Sequence, residues 1–219
     1  MLVTLVSLQL DQFGIDRFRI GYTAGMARPR EFDEAEVVER ARNAFWSQGG
    51  VAATSISTLS EATGLSVGSI YKAFTSKDQL CSLTLDDYVG QARDRISAIL
   101  ADAATPWDGI RAWLDAEVVQ AADTSSTRGC YAVLLATERA AVDDGIRAQI
   151  AEHDELLRDI VAGAVRDGVD TGRVSGDVAG VTRLILTTVN GLQVEARKGI
   201  TEHEARAIVD TMLAALETH

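Results

Sequence analysis

Ser55-Ile-Ser-Thr-Leu-Ser-Glu-Ala-Thr-Gly-Leu-Ser-Val-Gly-Ser-Ile-Tyr-Lys-Ala-Phe74 is the stretch that decides the fold. Ile56, Leu59 and Ala62 recur at helical spacing and predict a short helix ending at Thr63. Gly64 permits the positive φ of a sharp turn. Leu65 plugs that turn into a core. Ser66 is placed to cap a second helix over Val67 to Phe74, anchored from behind by Ile70 and Phe74. Ser66, Val67, Gly68, Ser69, Tyr71 and Lys72 are left on outward positions. This is the pattern of a helix-turn-helix. Small residues at the start of its second helix let the backbone approach a DNA groove closely.

Working outward, Asp33 with Glu36 three residues on predicts a capping box, and Val37, Val38, Ala41, Ala44 and Phe45 share one helical face up to Gly49-Gly50. Ser76 is placed to cap a long helix from Lys77 toward Leu100. Five more helices follow by the same reading: Pro106 to Ala122, Cys130 to Ala141, Asp143 to Asp167, Asp177 to Lys198 and Glu202 to Glu217. No period-two pattern persists, and there is no internal repeat or low-complexity tract. The expected fold is all-α, about nine helices. It divides into a DNA-binding unit over 26–80 and a body over 81–219.

Composition agrees. The chain has 219 residues, two prolines, 47% hydrophobic and 24% charged residues. It is rich enough in apolar side chains for a buried core and too mixed to be disordered. No apolar run reaches the ~20 residues of a membrane span. Cys81 and Cys130 are too few for a disulfide framework, which suits a cytoplasmic protein. The net charge of −11 argues against a general nucleic-acid binder. The charge is uneven, however: residues 26–77 carry six basic and six acidic side chains, and residues 81–219 carry 13 and 23. The amino-terminal unit can therefore approach phosphate. Residues 1–25 read as an extension upstream of a native start at Met26, with a packed amino-terminal arm as the alternative.

The sequence resembles the TetR family of transcriptional regulators. The match is carried by Phe45 and Gly49, Thr54-Ser55-Ile56, Gly64-Leu65-Ser66, Gly68, Ile70-Tyr71, Phe74 and Ser76-Lys77, over about residues 32–92. The resemblance implies roles by position. Tyr71 and Lys77 would contact phosphate, Thr54 and Ser55 would offer hydroxyls to it, and Ser66, Val67 and Ser69 would meet base edges. Ala73 stands where the family commonly has His, and Lys72 is the candidate to supply that contact. Arg28 and Arg30 either reach a neighbouring groove or belong to a solvated arm.

The same resemblance implies a helical body that dimerises through its last two helices and holds a small organic effector. Leu184, Ile185, Thr188, Leu192, Ile208 and Met212 are the interface candidates, with plain core packing as the competing reading. Trp113, Cys130, Tyr131, Leu134, Glu138 and His153 are the ligand candidates, again against core packing. Arg128-Gly129-Cys130 is similar to a branch of these regulators, some of which sense electrophiles through a thiol: Cys130 beside Arg128 at a helix start has either a lowered pKa and a reactive thiol or, the favoured reading, a buried and inert one. No zinc-helix His pair, Cys-x2-Cys, phosphate loop or Gly-x-Ser-x-Gly is present, so the reading is not an enzyme, with no cofactor and no metal. The expected function is a dimeric repressor released from a palindromic double-stranded operator by its effector. A thiol switch through Cys130 and an interaction module without DNA binding are the alternatives.

Overall fold

The computed structural model describes residues 32–123 and 129–218. The expectations for residues 1–25, Arg28, Arg30 and Arg128 lie outside them. Asp33 onward forms one compact unit. Among the described residues there are nine helices: α1 (Glu34–Gln48), α2 (Ile56–Thr63), α3 (Val67–Phe74), α4 (Lys77–Asp102), α5 (Pro106–Ala121), α6 (Tyr131–Glu138), α7 (Asp144–Asp170), α8 (Val178–Ala196) and α9 (Glu202–Leu216). No strand is formed among them, only an isolated antiparallel bridge between Val174 and Glu217.

Side-chain caps explain where most helices begin. Ser55, Ser66, Ser76, Thr105, Asp143, Asp177 and Thr201 each accept a backbone N–H of the first turn. At α1 the expected capping box is half formed. Asp33 accepts from the N–H groups of Ala35 and Glu36, while the Glu36 carboxylate takes Arg40 one turn on instead of turning back. The reciprocal box occurs at α9, between Thr201 and Glu204.

Helices α1 to α3 pack on the start of α4 around Val37, Val38, Ala41, Ala44, Phe45, Leu59, Ile70, Phe74 and Leu80, all buried. Arg42 of α1 donates to Asp87 of α4 at 2.5 Å, fixing the two helices. Gly64 (φ 73) makes the turn between α2 and α3. Between α3 and α4 the turn is tighter. Thr75 takes φ 63, and the Ser76 N–H donates to the Phe74 carbonyl at 2.6 Å, which brings Ser76 into its capping position. The body has a separate core of Trp107, Ile110, Trp113, Leu114, Val165, Ile185, Leu192 and Leu213, drawn from α5, α7, α8 and α9. Long α4 joins the two.

The helix expected over Cys130 to Ala141 is shorter. Arg139 donates to Asp78 of α4 at 2.8 Å and to Asp143, the cap of α7, at 3.2 Å. These two bonds hold the chain in a turn after Glu138.

Candidate DNA-reading surface and body cavity

The reading helix is α3. Its outward face carries Val67, Gly68, Tyr71 and Lys72, with Ser66 exposed at the cap and Ser69 half-buried beside it. Tyr71 is 48% exposed and Val67 39%, high values for apolar side chains on a helix whose opposite face is fully buried. A Cβ at Gly68 would meet nothing within 4 Å, so that position keeps a bare backbone toward solvent. Ser66 and Ser69 share a hydrogen bond of 2.9 Å, which holds both hydroxyls at the amino-terminal edge of α3.

Three other reader candidates have different surroundings. Ser55 is exposed and caps α2. Thr54 is buried, and its hydroxyl donates to the Gly50 carbonyl at 2.7 Å. The Lys77 ammonium donates to the carbonyls of Val51 at 2.8 Å and Thr54 at 3.0 Å. The Thr54 hydroxyl and the Lys77 ammonium thus hold the loop between α1 and α2. The Thr54 N–H is also taken, by the Val51 carbonyl at 3.3 Å, so Thr54 has no donor left for a phosphate. Lys77 keeps the third ammonium proton and its backbone N–H in the first turn of α4.

The body holds a half-open cavity of about 390 Å³ between α4, α5, α6, α7 and α8. Of the ligand candidates, Trp113, Cys130 and His153 line it, and so does Leu157. Tyr131, Leu134 and Glu138 do not, which corrects their placement. On α6 the cavity side is Ala132, Val133, Ala136 and Thr137. Tyr131, Leu134, Leu135 and Glu138 recur at helical spacing on another face. Tyr131 packs against Trp46 of α1 and Tyr88 of α4 with ring centroids 5.7 Å apart in each pair, and it shares a hydrogen bond with Thr84. The Glu138 carboxylate accepts from the N–H groups of Val51 at 2.8 Å and Ala52 at 2.6 Å.

Sequence reading missed the polar residues of the cavity: Arg95, Glu117, Asn190 and Gln193. Glu117 is buried. It accepts from Trp113 Nε1 at 2.9 Å and Gln193 Nε2 at 2.5 Å. Burial raises its pKa, against the Arg95 charge and those two hydrogen bonds. A carboxylate one turn after Trp113 on an otherwise apolar helix face was the available signal. His153 Nδ1 and Gln193 Oε1 are buried without a hydrogen-bond partner. A second hollow, of about 710 Å³, adjoins this one through Trp113, Asp154 and Leu157.

Of the two readings of Cys130, the structure does not support the lowered pKa. Burial pushes its thiol up, and the Tyr88 hydroxyl donates to its sulfur at 3.3 Å. Cys130 itself is half-buried, whereas Cys81 is buried and its pKa is pushed up to about 12.

The dimer candidates separate into two sets. Ile185, Leu192 and Met212 belong to the body's own core, so they are corrected to core residues. Leu184, 45% exposed, and Ile208, 41% exposed, point outward with the half-buried Thr188. Val194, 46% exposed, lines the cavity and lies off the Leu184 and Thr188 face.

A three-helix head with an exposed reading face, set on an all-helical body with a half-open cavity, defines a helix-turn-helix transcriptional regulator. Residues 37–82 match the family model described as bacterial regulatory proteins, tetR family. The reading head thus matches that family's DNA-binding domain, and the relatives that the rest of the chain resembles are regulators of the same kind. It is 24% identical over 191 residues to the HTH-type transcriptional repressor ComR of Escherichia coli strain K12, covering 85% of this chain and 90% of ComR. A cysteine mutant of the TetR-family regulator CifR, in complex with 26-base-pair double-strand operator DNA, is similar with a TM-score of 0.75 and 26% identity, covering 86% of this chain and 99% of that one. A TetR transcriptional regulator from Chloroflexus aurantiacus J-10-fl matches with a TM-score of 0.74 and 26% identity, over 85% and 98% of the two chains. These relatives are regulators and not enzymes. Among the described residues no helix is long and apolar enough to cross a membrane.

Proposed function

We propose that the chain acts in the bacterial cytoplasm as a homodimeric repressor that binds a palindromic operator and is released by a small organic effector held in the body cavity. The observation that carries this reading is the position of the cavity. Its walls include α4, which continues directly from the reading helix, and α6, which touches the loop before α2. A ligand that fits the cavity better when the heads are badly spaced for DNA lowers operator affinity by that differential free energy.

The cavity's chemistry suits such a ligand. Apolar walls and Trp113 supply area, and Arg95, Glu117, His153 and Gln193 supply a few oriented polar groups. On the reader, Tyr71 supplies a phosphate contact, with the exposed Ser55, the remaining ammonium proton of Lys77 and the N–H groups at the start of α4, while Thr54 shapes the loop that presents them. Ser66, Val67, Gly68, Ser69 and Lys72 lie at the groove. Two heads are needed, because one carries few basic groups and one recognition helix reads a single half-site. The outward face of α8 and α9, with Leu184, Thr188 and Ile208, supports pairing with a second copy. The relatives agree: ComR is named a repressor, and CifR was solved on operator DNA.

The test is selection of duplexes from random DNA by the full-length protein, followed by anisotropy at two salt concentrations. A palindromic winner whose affinity falls moderately with salt is expected. No enrichment before or after refolding would remove the DNA-binding reading.

A further inference from the structure

The α6 helix serves two neighbours at once. Ala132, Val133, Ala136 and Thr137 wall the cavity. The next residue, Glu138, reaches the backbone of the loop between α1 and α2. Its Oε2 accepts from the Val51 N–H at 2.8 Å and its Oε1 from the Ala52 N–H at 2.6 Å. A carboxylate can take both donors, one on each oxygen, whereas an amide has a single acceptor oxygen. The loop is shaped around this group. A Cβ at Gly50 would sit 2.3 Å from Glu138 Oε2, and Gly50 has φ +133. On the loop's carbonyls, Lys77 of α4 holds Val51 and Thr54. The next residue, Arg139, ties the same end of α6 to Asp78 in the first turn of α4.

We infer that Glu138 is the positioning residue through which the cavity helix sets the DNA-reading head, a carboxylate latch on the Val51 and Ala52 amides. The loop it grips ends at Ser55, the cap of α2, and α2 carries α3 across the Gly64 turn. A ligand that displaces Val133 or Ala136 moves Glu138, and the latch moves or opens with it. The inference rests on the cavity being the effector site. By reciprocity, operator binding must then change α6.

Amide hydrogen exchange on the full-length protein tests this in the wild type, E138Q and E138A, each with and without the selected operator duplex at saturation. Without DNA, the Val51 and Ala52 amides should exchange about tenfold faster in E138A, with E138Q between, because charge-assisted bonds to both amides are lost. With DNA, α3 should be protected in all three proteins, while the change operator produces across residues 131–138 in the wild type should vanish in E138A. Unaltered Val51 and Ala52 exchange in both variants overturns the latch. So does an α6 response in E138A equal to the wild type's, or no α6 response in the wild type. If E138A loses protection across α8 and α9 it has not folded, and the near-isosteric E138Q decides. If no duplex protects α3 in the wild type, the DNA-binding reading fails, and the arm without DNA still judges the latch.

Discussion

The Lys77 ammonium donates to the Thr54 carbonyl at 3.0 Å, and the same nitrogen takes the Val51 carbonyl at 2.8 Å. A residue whose position implies phosphate contact thus braces the last residues before α2 from the start of α4. Lys77→Met keeps the aliphatic stem and removes the donors. It should cost about 1 kcal/mol of stability, a charged hydrogen bond discounted for the half-exposed side chain. It should also weaken binding to every DNA sequence by a similar factor, because the reading face itself is unchanged. Urea unfolding and anisotropy on matched and mismatched duplexes measure both. Lost affinity with unaltered stability would show that the ammonium acts on phosphate alone.

Tyr71 provides the contrast. It is 48% exposed and its side chain supports nothing in the core. Tyr71→Ala should leave the unfolding midpoint in place and lower affinity about tenfold for matched and mismatched duplexes alike, as loss of a positioning contact does. Changes at Val67 or Ser69 should alter the ranking of duplexes instead. A Tyr71→Ala protein with full affinity would remove the residue from the reading surface.

Much of this was legible in the sequence, and the reasons are local. Ser55, Ser66 and Ser76 announce their helices because a capping hydroxyl acts within three residues. Gly64 announces its turn because a left-handed backbone favours glycine. What was not legible was phase. Tyr131 to Ala136 are apolar almost all round, so periodicity does not separate the cavity side from the side facing α1, and Glu138 was placed with the wrong one. On α8, Leu184 and Ile185 are neighbours of equal hydropathy, yet one is 45% exposed and the other fully buried. Only the packing of α5, α7 and α9 against α8 tells them apart. The roles of Thr54 and Lys77 were hidden for another reason: their partners are backbone carbonyls, which carry no sequence signal.

That difference on α8 gives a paired prediction. Leu184→Glu and Ile208→Glu put charge on an outward face and should raise the dimer dissociation constant at least tenfold while each protomer stays folded, a cost of about 1–2 kcal/mol. Ile185→Ala should instead cost about 2–5 kcal/mol of folding stability by opening a cavity in the body core. Sedimentation velocity over a dilution series, with circular dichroism on the same samples, separates the two outcomes. Unaltered association in both glutamate variants would move the interface elsewhere.

His153 makes the body sensitive to mild acid. Its side chain is buried at the cavity wall, and burial lowers its pKa from the usual 6.5, partly offset by the Asp154 charge. The folded protein therefore keeps the imidazole neutral where the unfolded chain has begun to protonate. The stability this group contributes is fully present above pH 6.5 and is lost as pH falls through the lower, folded value, at up to about 1.4 kcal/mol per pH unit. Asp154 works in the opposite sense: burial raises its pKa, so in its own window, above 3.8, the folded state takes the proton first. His153→Gln retains a neutral polar side chain and removes the histidine contribution. Urea midpoints at pH 7.5 and 5.5 should therefore fall further in the wild type than in the variant. Equal losses in the two proteins would mean that His153 protonates as readily in the folded state as in the unfolded chain.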